Sequence, residues 1–406
     1  MTRSRDDAAP PDPLLGLRDE LDDLRTRGLH RELRALGGAQ DAEVELDGRR
    51  VINFCSNNYL GLANHPALRR AAEETMRAEG IGAGASRLIG GNLPVHRALE
   101  ADLAAWKHTE SALLFCSGYQ ANVGLLSALA GPGDAIYSDQ LNHASLIDGA
   151  RLSRASIHVY PHNDMAALER AIQGGSSARR RLIVTESVFS MDGDLAPLDD
   201  LVRIAERHGA ILIVDEAHAT GVLGPGGVGL ARRAGVHVQM GTLSKALGAA
   251  GAYVAAPAVI VDYLLNRARS FVFSTAPAVP AMAAARAALA LLGNSEGAAR
   301  RDRLFAARDR LHAGLVRLGL CDPAGAPSHI IPLIVRDDRR AMDLSAQLLA
   351  RGFFIQGIRP PTVPPGTARL RLTVTAAHTD AHIDALLDAF AELALEIPPC
   401  VPATSS

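Results

Sequence analysis

From about residue 100 onward, short apolar runs alternate with segments of helical period. Six runs read as strands: ALLF (112–115), AIY (135–137), IHVY (157–160), LIVT (182–185), ILIV (211–214) and GAYVAA (251–256). Alternation of this kind predicts an α/β fold, a mostly parallel sheet covered by helices on both faces. Ligands of such sheets gather beyond the carboxyl ends of the strands. Several strands are followed there by chemically useful groups: Ser117, Gly118 and Tyr119; Asp139, Asn142 and His143; Glu186 and Ser190; Asp215 and His218. Upstream, Leu14, Leu17, Leu21 and Leu24 recur at helical spacing and predict an amphipathic helix that packs on the body or on a second subunit. EVELDGRRVINF (43–54) carries a strand signal and leads into SNNYLGL (56–62), whose Asn and Gly residues suit tight turns. Downstream, an Ala- and Arg-rich helical region over about 277–319 leads to a smaller C-terminal α+β part. Its strands are HIIPLIV (329–335), FFIQGI (353–358) and ARLRLTVT (368–375), with the helix AMDLSAQLLARG between the first two. The expected division is an N-terminal segment with a helix over 1–50, a large domain over 51–290, a small domain over 291–395 and a flexible tail over 396–406, with residues 1–13 disordered.

At 406 residues, with 48% hydrophobic and 21% charged content, the chain has enough apolar material for two domains with a buried core, which excludes a disordered chain. A formal net charge of -2 gives no reason to expect nucleic acid or an acidic membrane as the main partner. Cys55, Cys116, Cys321 and Cys400 lie far apart without a C-x-x-C pair, against a zinc ribbon, a dithiol redox site or a disulfide framework. A reducing cytoplasm fits that usage. The start, MTRSRDDAAPPDP, lacks the apolar core of a signal peptide, and no uninterrupted apolar stretch is long enough to span a bilayer.

Two motifs carry the chemistry. Lys245 sits among small residues in TLSKALG (242–248), and DEAH (215–218) follows directly on the apolar ILIV. An acid at a strand end plus a lysine in a small-residue loop is what a pyridoxal phosphate (PLP) enzyme requires. The lysine forms a Schiff base with the cofactor aldehyde, and the carboxylate keeps the pyridine nitrogen protonated so that the ring accepts electrons. Neither half is diagnostic alone. DEAH also occurs in nucleotide hydrolases, but the phosphate loop G-x-x-x-x-G-K-[ST] which that reading needs is missing. GPGGVG (224–229) matches a dinucleotide fingerprint, yet it neither follows a strand nor opens a helix, and it reads as a flexible loop. No histidine pair has metal-ligand spacing. CSGYQAN (116–122) places small residues between a strand and a helix, where free backbone N–H groups favour a phosphate, and Tyr119 there can pack on a planar ring. In ARLRLTVT, Arg369 and Arg371 share one face, either an exposed strand face or a planar fork for a substrate carboxylate.

Taken in order, NNYLGL, GAGASRLIGGN, CSGYQAN, SDQLNHAS, ESVFSMDGDLAPL, VDEAHATGVLG, GTLSKALG, NRARSFVFSTA and RPPTVPPGTARLRLT closely resemble the α-oxoamine synthases over about residues 20–390. These are fold-type I PLP enzymes of the aspartate aminotransferase-like architecture, and they condense an amino acid with an acyl thioester with loss of carbon dioxide. The resemblance implies a large domain built on a mostly parallel seven-stranded sheet, a smaller C-terminal α+β domain, and a homodimer with shared active sites. It also implies that Lys245 carries the Schiff base, Asp215 pairs with the pyridinium nitrogen, His218 bonds the ring's phenolic oxygen and His143 stacks on the ring. Ser190 and Thr242 would help hold the cofactor, with Gly118 and Tyr119 in the same pocket and Thr275 reaching the phosphate of the neighbouring subunit. Arg371 would bind the amino-acid carboxylate, Thr362 would lie in a closing segment, and Arg34 would meet the distal carboxylate of the acyl chain. The implied substrates are L-alanine and a pimeloyl thioester, on coenzyme A or a carrier protein, in biotin biosynthesis. Sister pairs, glycine with acetyl-CoA or serine with a long-chain acyl thioester, are the alternative, and a PLP-binding regulator without turnover is a further rival. TES replaces the family's TEG at 185–187, and DEAH replaces DDAH. Neither change removes a catalytic group.

Overall fold

The computed structural model describes residues 13–394 apart from 176, 233, 234 and 326, together with residue 397. The expectations of disorder over 1–13 and of a loose tail over 396–406 fall, but for Pro13 and Ile397, outside the described residues, as does Cys400. Helix α1 (Leu15–Thr26) precedes three short strands, β1 (Leu36–Gly37), β2 (Glu43–Leu46) and β3 (Arg49–Asn53). Helices α2 (Pro66–Glu79) and α3 (Pro94–Lys107) lead to a central sheet made of β4 (Ser111–Phe115), β5 (Ala135–Asp139), β6 (Ser156–Tyr160), β7 (Arg181–Glu186), β8 (Ile211–Asp215), β9 (Val238–Thr242) and β10 (Ala252–Ala256). Between its strands run α4 (Gly118–Leu129), α5 (Ala144–Ser153), α6 (Met165–Gly174) and α7 (Leu198–His208). After it come α8 (Ala258–Arg267), α9 (Arg269–Val272), α10 (Val279–Leu292) and α11 (Ser295–Arg317). The C-terminal part holds β11 (Ile330–Arg336), α12 (Asp338–Ala350), β12 (Phe353–Phe354), β13 (Gln356–Ile358), β14 (Ala368–Thr373) and α13 (Asp380–Leu393).

The central sheet has seven strands in the order β4-β10-β9-β8-β7-β5-β6, and β10 alone runs antiparallel to its neighbours. All but the edge strand β6, where Ile157 and Val159 are exposed, are buried on both faces, as a helix-covered sheet requires. Leu182, Val184 and Ile213 enter one core, while Ile183, Leu212 and Val214 enter the other. Elsewhere FFIQGI, expected as one strand, breaks at Ile355 into β12 and β13 in different sheets, and β1 forms where no strand was expected, whereas every strand expected in the central sheet forms. One more, β9, was not expected, because Gln239 and Gly241 interrupt its apolar run, yet it is buried throughout and leads directly to Lys245.

EVELDGRRVINF folds as a hairpin, β2 against β3, turned at Asp47 and Gly48, both with positive φ. Strand β3 also pairs in parallel with β12, so a division at residue 50 cuts a strand that joins the C-terminal part. The region expected as one helical stretch is two helices, α10 and α11. Asn294 caps the second by accepting from the N–H groups of Glu296 and Gly297. A single hydrophobic cluster runs from Leu114 and Tyr253 of the central sheet through α10 and α11 to Leu370 and Ile383. Helix α1 buries none of its residues. Among the described residues no helix is long and apolar enough to cross a membrane.

Candidate active site

Strands β7, β8 and β9 end side by side, with Glu186 in register with Asp215 and Asp215 in register with Met240, two residues before Thr242. Parallel pairing thus delivers the chemistry of three distant motifs to one edge, and a cavity of about 180 Å³ opens there. Gly118, Tyr119, His143, Asp215, His218, Thr242 and Lys245 all line it, so seven of the expected residues meet.

Asp215 is buried, and its carboxylate accepts from the Asn122 side chain at 2.8 Å and from the Ala217 N–H at 2.8 Å. Asn122 also donates to Ser145 Oγ at 2.9 Å, which lies 2.8 Å from His143 Nδ1. One network therefore joins the acid to the histidine. It depends on the close approach of α5 to α4 at Gly149, where a Cβ would meet the Asn122 carbonyl oxygen at 2.9 Å. Glu186 is buried beside Asp215 and accepts from the His143 N–H at 2.7 Å. Burial raises the pKa of both carboxyls, and their mutual repulsion adds to the rise at Glu186. Asp215 has two donors and Lys245 to hold its charge, which favours the negative charge there and the shared proton on Glu186.

Lys245 Nζ lies 2.8 Å from His218 Nε2. Burial pulls its pKa down to about 8, against the opposing pull of Asp215 and Glu186. His218 is held well below the usual histidine range by burial and by the positive charge of Lys245. Its Nδ1 lies 2.7 Å from the Tyr59 hydroxyl, which donates to Asn57 Oδ1 at 2.9 Å. Thr242 Oγ1 is 2.7 Å from Ser244 Oγ, beside the lysine.

A phosphorylated pyridine aldehyde fits this cavity. The amine for its aldehyde, in the loop after β9, and the carboxylate for its ring nitrogen, at the end of β8, stand side by side. Helix α4 opens at Gly118, where a Cβ would meet no atom within 4 Å, and the N–H groups of Gly118 and Tyr119 are open to a phosphate, while that of Gln120 donates to Ser117 Oγ. Tyr119 is half exposed and donates to Asp148 at 2.6 Å.

Other expected residues stand apart from this group. Arg371 is buried on β14, neither face of which is exposed, and it donates to the Ser190 carbonyl at 2.5 Å and to Asn57 Oδ1 at 3.5 Å. Ser190 thus enters the site through its backbone. Arg369, also buried, pairs with Asp192. Thr275 is exposed, bridges to Ser86 and lies outside the cavity lining. Thr362 is exposed in the loop between β13 and β14. Arg34 lies on the surface with its guanidinium forked onto Asp47 at 2.8 and 3.0 Å. Motif reading left Asn57, Tyr59, Asn122, Ser145 and Ser244 without roles, although each falls in or beside a quoted motif.

Residues 49–390 match the family described as aminotransferase class I and II. The 8-amino-7-oxononanoate synthase of Citrifermentans bemidjiense is 54% identical over 364 residues, covering 89% of this chain and 93% of that protein. The enzyme of the same name from Geobacter sulfurreducens is 51% identical over 382 residues, covering 93% and 97%. Among solved structures, a serine palmitoyltransferase variant from S. paucimobilis with a bound PLP–myriocin aldimine superposes with a TM-score of 0.87 at 29% identity, covering 93% of this chain and 96% of that one. With the cavity's acid, lysine and histidines in one place and half of all residues shared with those relatives, the chain belongs to the class I and II aminotransferase family and, within it, to the 8-amino-7-oxononanoate synthases.

Proposed function

We propose that this enzyme condenses L-alanine with a pimeloyl thioester, on coenzyme A or a carrier protein, to give 8-amino-7-oxononanoate, carbon dioxide and a free thiol in biotin biosynthesis. The observation that carries the reading is the convergence of Lys245, Asp215, His218 and His143 on one cavity in a chain 54% identical to a synthase of that name. PLP, bound through Lys245, supplies an electron sink for the charge left at the α-carbon. Asp215, its charge held by Asn122 and the Ala217 N–H, would pair with the ring nitrogen and sustain that sink. His143, which Asn122 and Ser145 orient, would hold the ring of the bound cofactor in place. Lys245, with a pKa near 8, is partly neutral at physiological pH and takes the α-proton as general base. Arg371 holds the amino-acid carboxylate through its planar fork. Thr242, at the end of β9, and Ser190 would steady the cofactor from either side.

Exposed Ile81, Leu88, Ile89 and Phe273 surround the bridge between Ser86 and Thr275, an apolar surface that supports a homodimer in which Thr275 serves the partner's phosphate. Arg34 is assigned to the distal carboxylate of the acyl chain, which requires it to leave Asp47.

The test is carbon dioxide and thiol release by the PLP-loaded protein with pimeloyl-CoA and L-alanine, glycine or L-serine in parallel, and with acetyl-CoA and palmitoyl-CoA as alternative donors. Release confined to pimeloyl-CoA with L-alanine is the expected result. Preference for glycine with acetyl-CoA, or for serine with palmitoyl-CoA, moves the enzyme to a sister activity.

A further inference from the structure

Tyr59 stands outside the cavity lining, is 1% exposed, and lies between His218 and Arg371. Its hydroxyl lies 2.7 Å from His218 Nδ1 and 2.9 Å from Asn57 Oδ1. Burial pushes the phenol pKa up, and the adjacent Arg371 guanidinium pulls against that rise. Arg371 Nη1 also reaches Asn57 Oδ1, at 3.5 Å. His329, wholly buried, meets the tyrosine ring edge-on at a centroid distance of 4.0 Å, which leaves the ring no room to swing.

A phenol has one proton to give and two lone pairs to accept with. Asn57 Oδ1 can only accept, and Arg371 can only donate. With the positive charge of Arg371 beside the hydroxyl, the phenol proton goes to Asn57, and the phenol oxygen accepts from His218 Nδ1–H. His218 then presents a bare Nε2 to Lys245, 2.8 Å away, and favours a proton on the lysine nitrogen. A carboxylate at Arg371 draws the guanidinium N–H groups to itself. The phenol proton is then free to turn to His218 Nδ1, and the histidine carries its own proton on Nε2, facing Lys245. That arrangement disfavours a proton on the lysine nitrogen and leaves it fit to act as a base.

We propose that Tyr59 is a positioning residue that couples occupancy of the carboxylate site at Arg371 to the proton on Lys245, by setting which nitrogen of His218 is protonated. The inference rests on the assignment of Arg371 to the amino-acid carboxylate under the proposed function. Its tests need no acyl donor, so it can fail while condensation is observed.

The probe is propionate, which keeps alanine's carboxylate and chain but lacks its amine. In the PLP-loaded protein, the pH midpoint of the visible absorption band follows the proton on the Lys245 nitrogen. In Tyr59→Phe, propionate acts on that midpoint through its charge alone and raises it. In the unsubstituted protein the tautomer change opposes the charge, and the midpoint with propionate shifts to a value about one pH unit lower, relative to the variant, the size of effect one hydrogen bond produces. Equal displacement in the two proteins, including none in either, overturns the coupling. A second measurement needs no change at Tyr59. With histidine labelled by ¹⁵N, and the His218 signals assigned by their loss in His218→Gln, the proton is expected on Nδ1 without propionate and on Nε2 at saturation. An unchanged tautomer overturns the proposal.

Discussion

Lys245 shows how much of the chemistry is set by a single side chain and its burial. A solvated lysine is charged at neutral pH, whereas this one is drawn down to about 8 by its surroundings. With the free amine as the proposed base, kcat is expected to rise with pH through about 8 and then level off. A kcat that stays flat from pH 6.5 to 9 in steady-state assays counts against Lys245 as the base. Lys245→Ala loses the base and the covalent anchor together, and turnover measured by thiol release should fall by at least about 10³-fold. Near-normal turnover in that variant would sink the assignment. Lys245 and Asp215 were legible from type and place alone, a lysine among small residues and an acid at a strand end. Asn122, whose amide holds Asp215, lies 93 residues from it in sequence, and nothing in CSGYQAN names that partner.

Element by element, the apolar pattern anticipated the strands whose inward residues form unbroken runs, and it failed at β9, where burial comes from neighbours on both sides rather than from the strand's own composition. GPGGVG shows the same limit. Its residues suggest only a loop, but Glu216, next to Asp215, turns away from the cavity to accept from the N–H groups of Leu230 and Ala231 and to pair with Lys107. Lys107 also donates to the Val228 carbonyl at 2.6 Å, so a wholly buried ion pair ties the loop to the end of α3. Removal of one partner strands a buried charge, and Lys107→Ala is expected to cost about 3–5 kcal/mol in urea unfolding. Gly229→Ala attacks the same junction sterically, since a Cβ there would strike the Glu216 carboxylate. A loss below about 1 kcal/mol for Lys107→Ala would show that the pair is solvated or dispensable.

For the whole molecule, buried histidines give stability an acid edge and an alkaline edge. Burial holds His329 and His378 at about 3, while the unfolded chain binds these protons near 6.5. The unfolded state therefore takes up more protons below 6.5, and stability falls as pH drops from 6.5 toward 3. His162 works in the opposite sense. Burial depresses it, but its bonds to Asp139 at 2.9 Å and Asp194 at 2.7 Å prevail and lift it to about 10, so its contribution is complete below 6.5 and is lost as pH rises toward 10. Thermal melts across pH should peak near 6.5, and His162→Gln should flatten the alkaline side. A melting temperature that is level from 6.5 to 5, above the carboxylate range, contradicts the acid edge. By itself the sequence determined the α/β class, most strands, the PLP-type acid and lysine, and the family, because period and motif identity are properties of residues close along the chain. Only the tertiary structure decided that Arg371 reaches Asn57 across 314 residues, that Tyr59 reaches His218 across 159, and that β3 pairs with β12. Those contacts exist only once the sheet has closed and burial has removed water as a competing partner, and no local pattern records them.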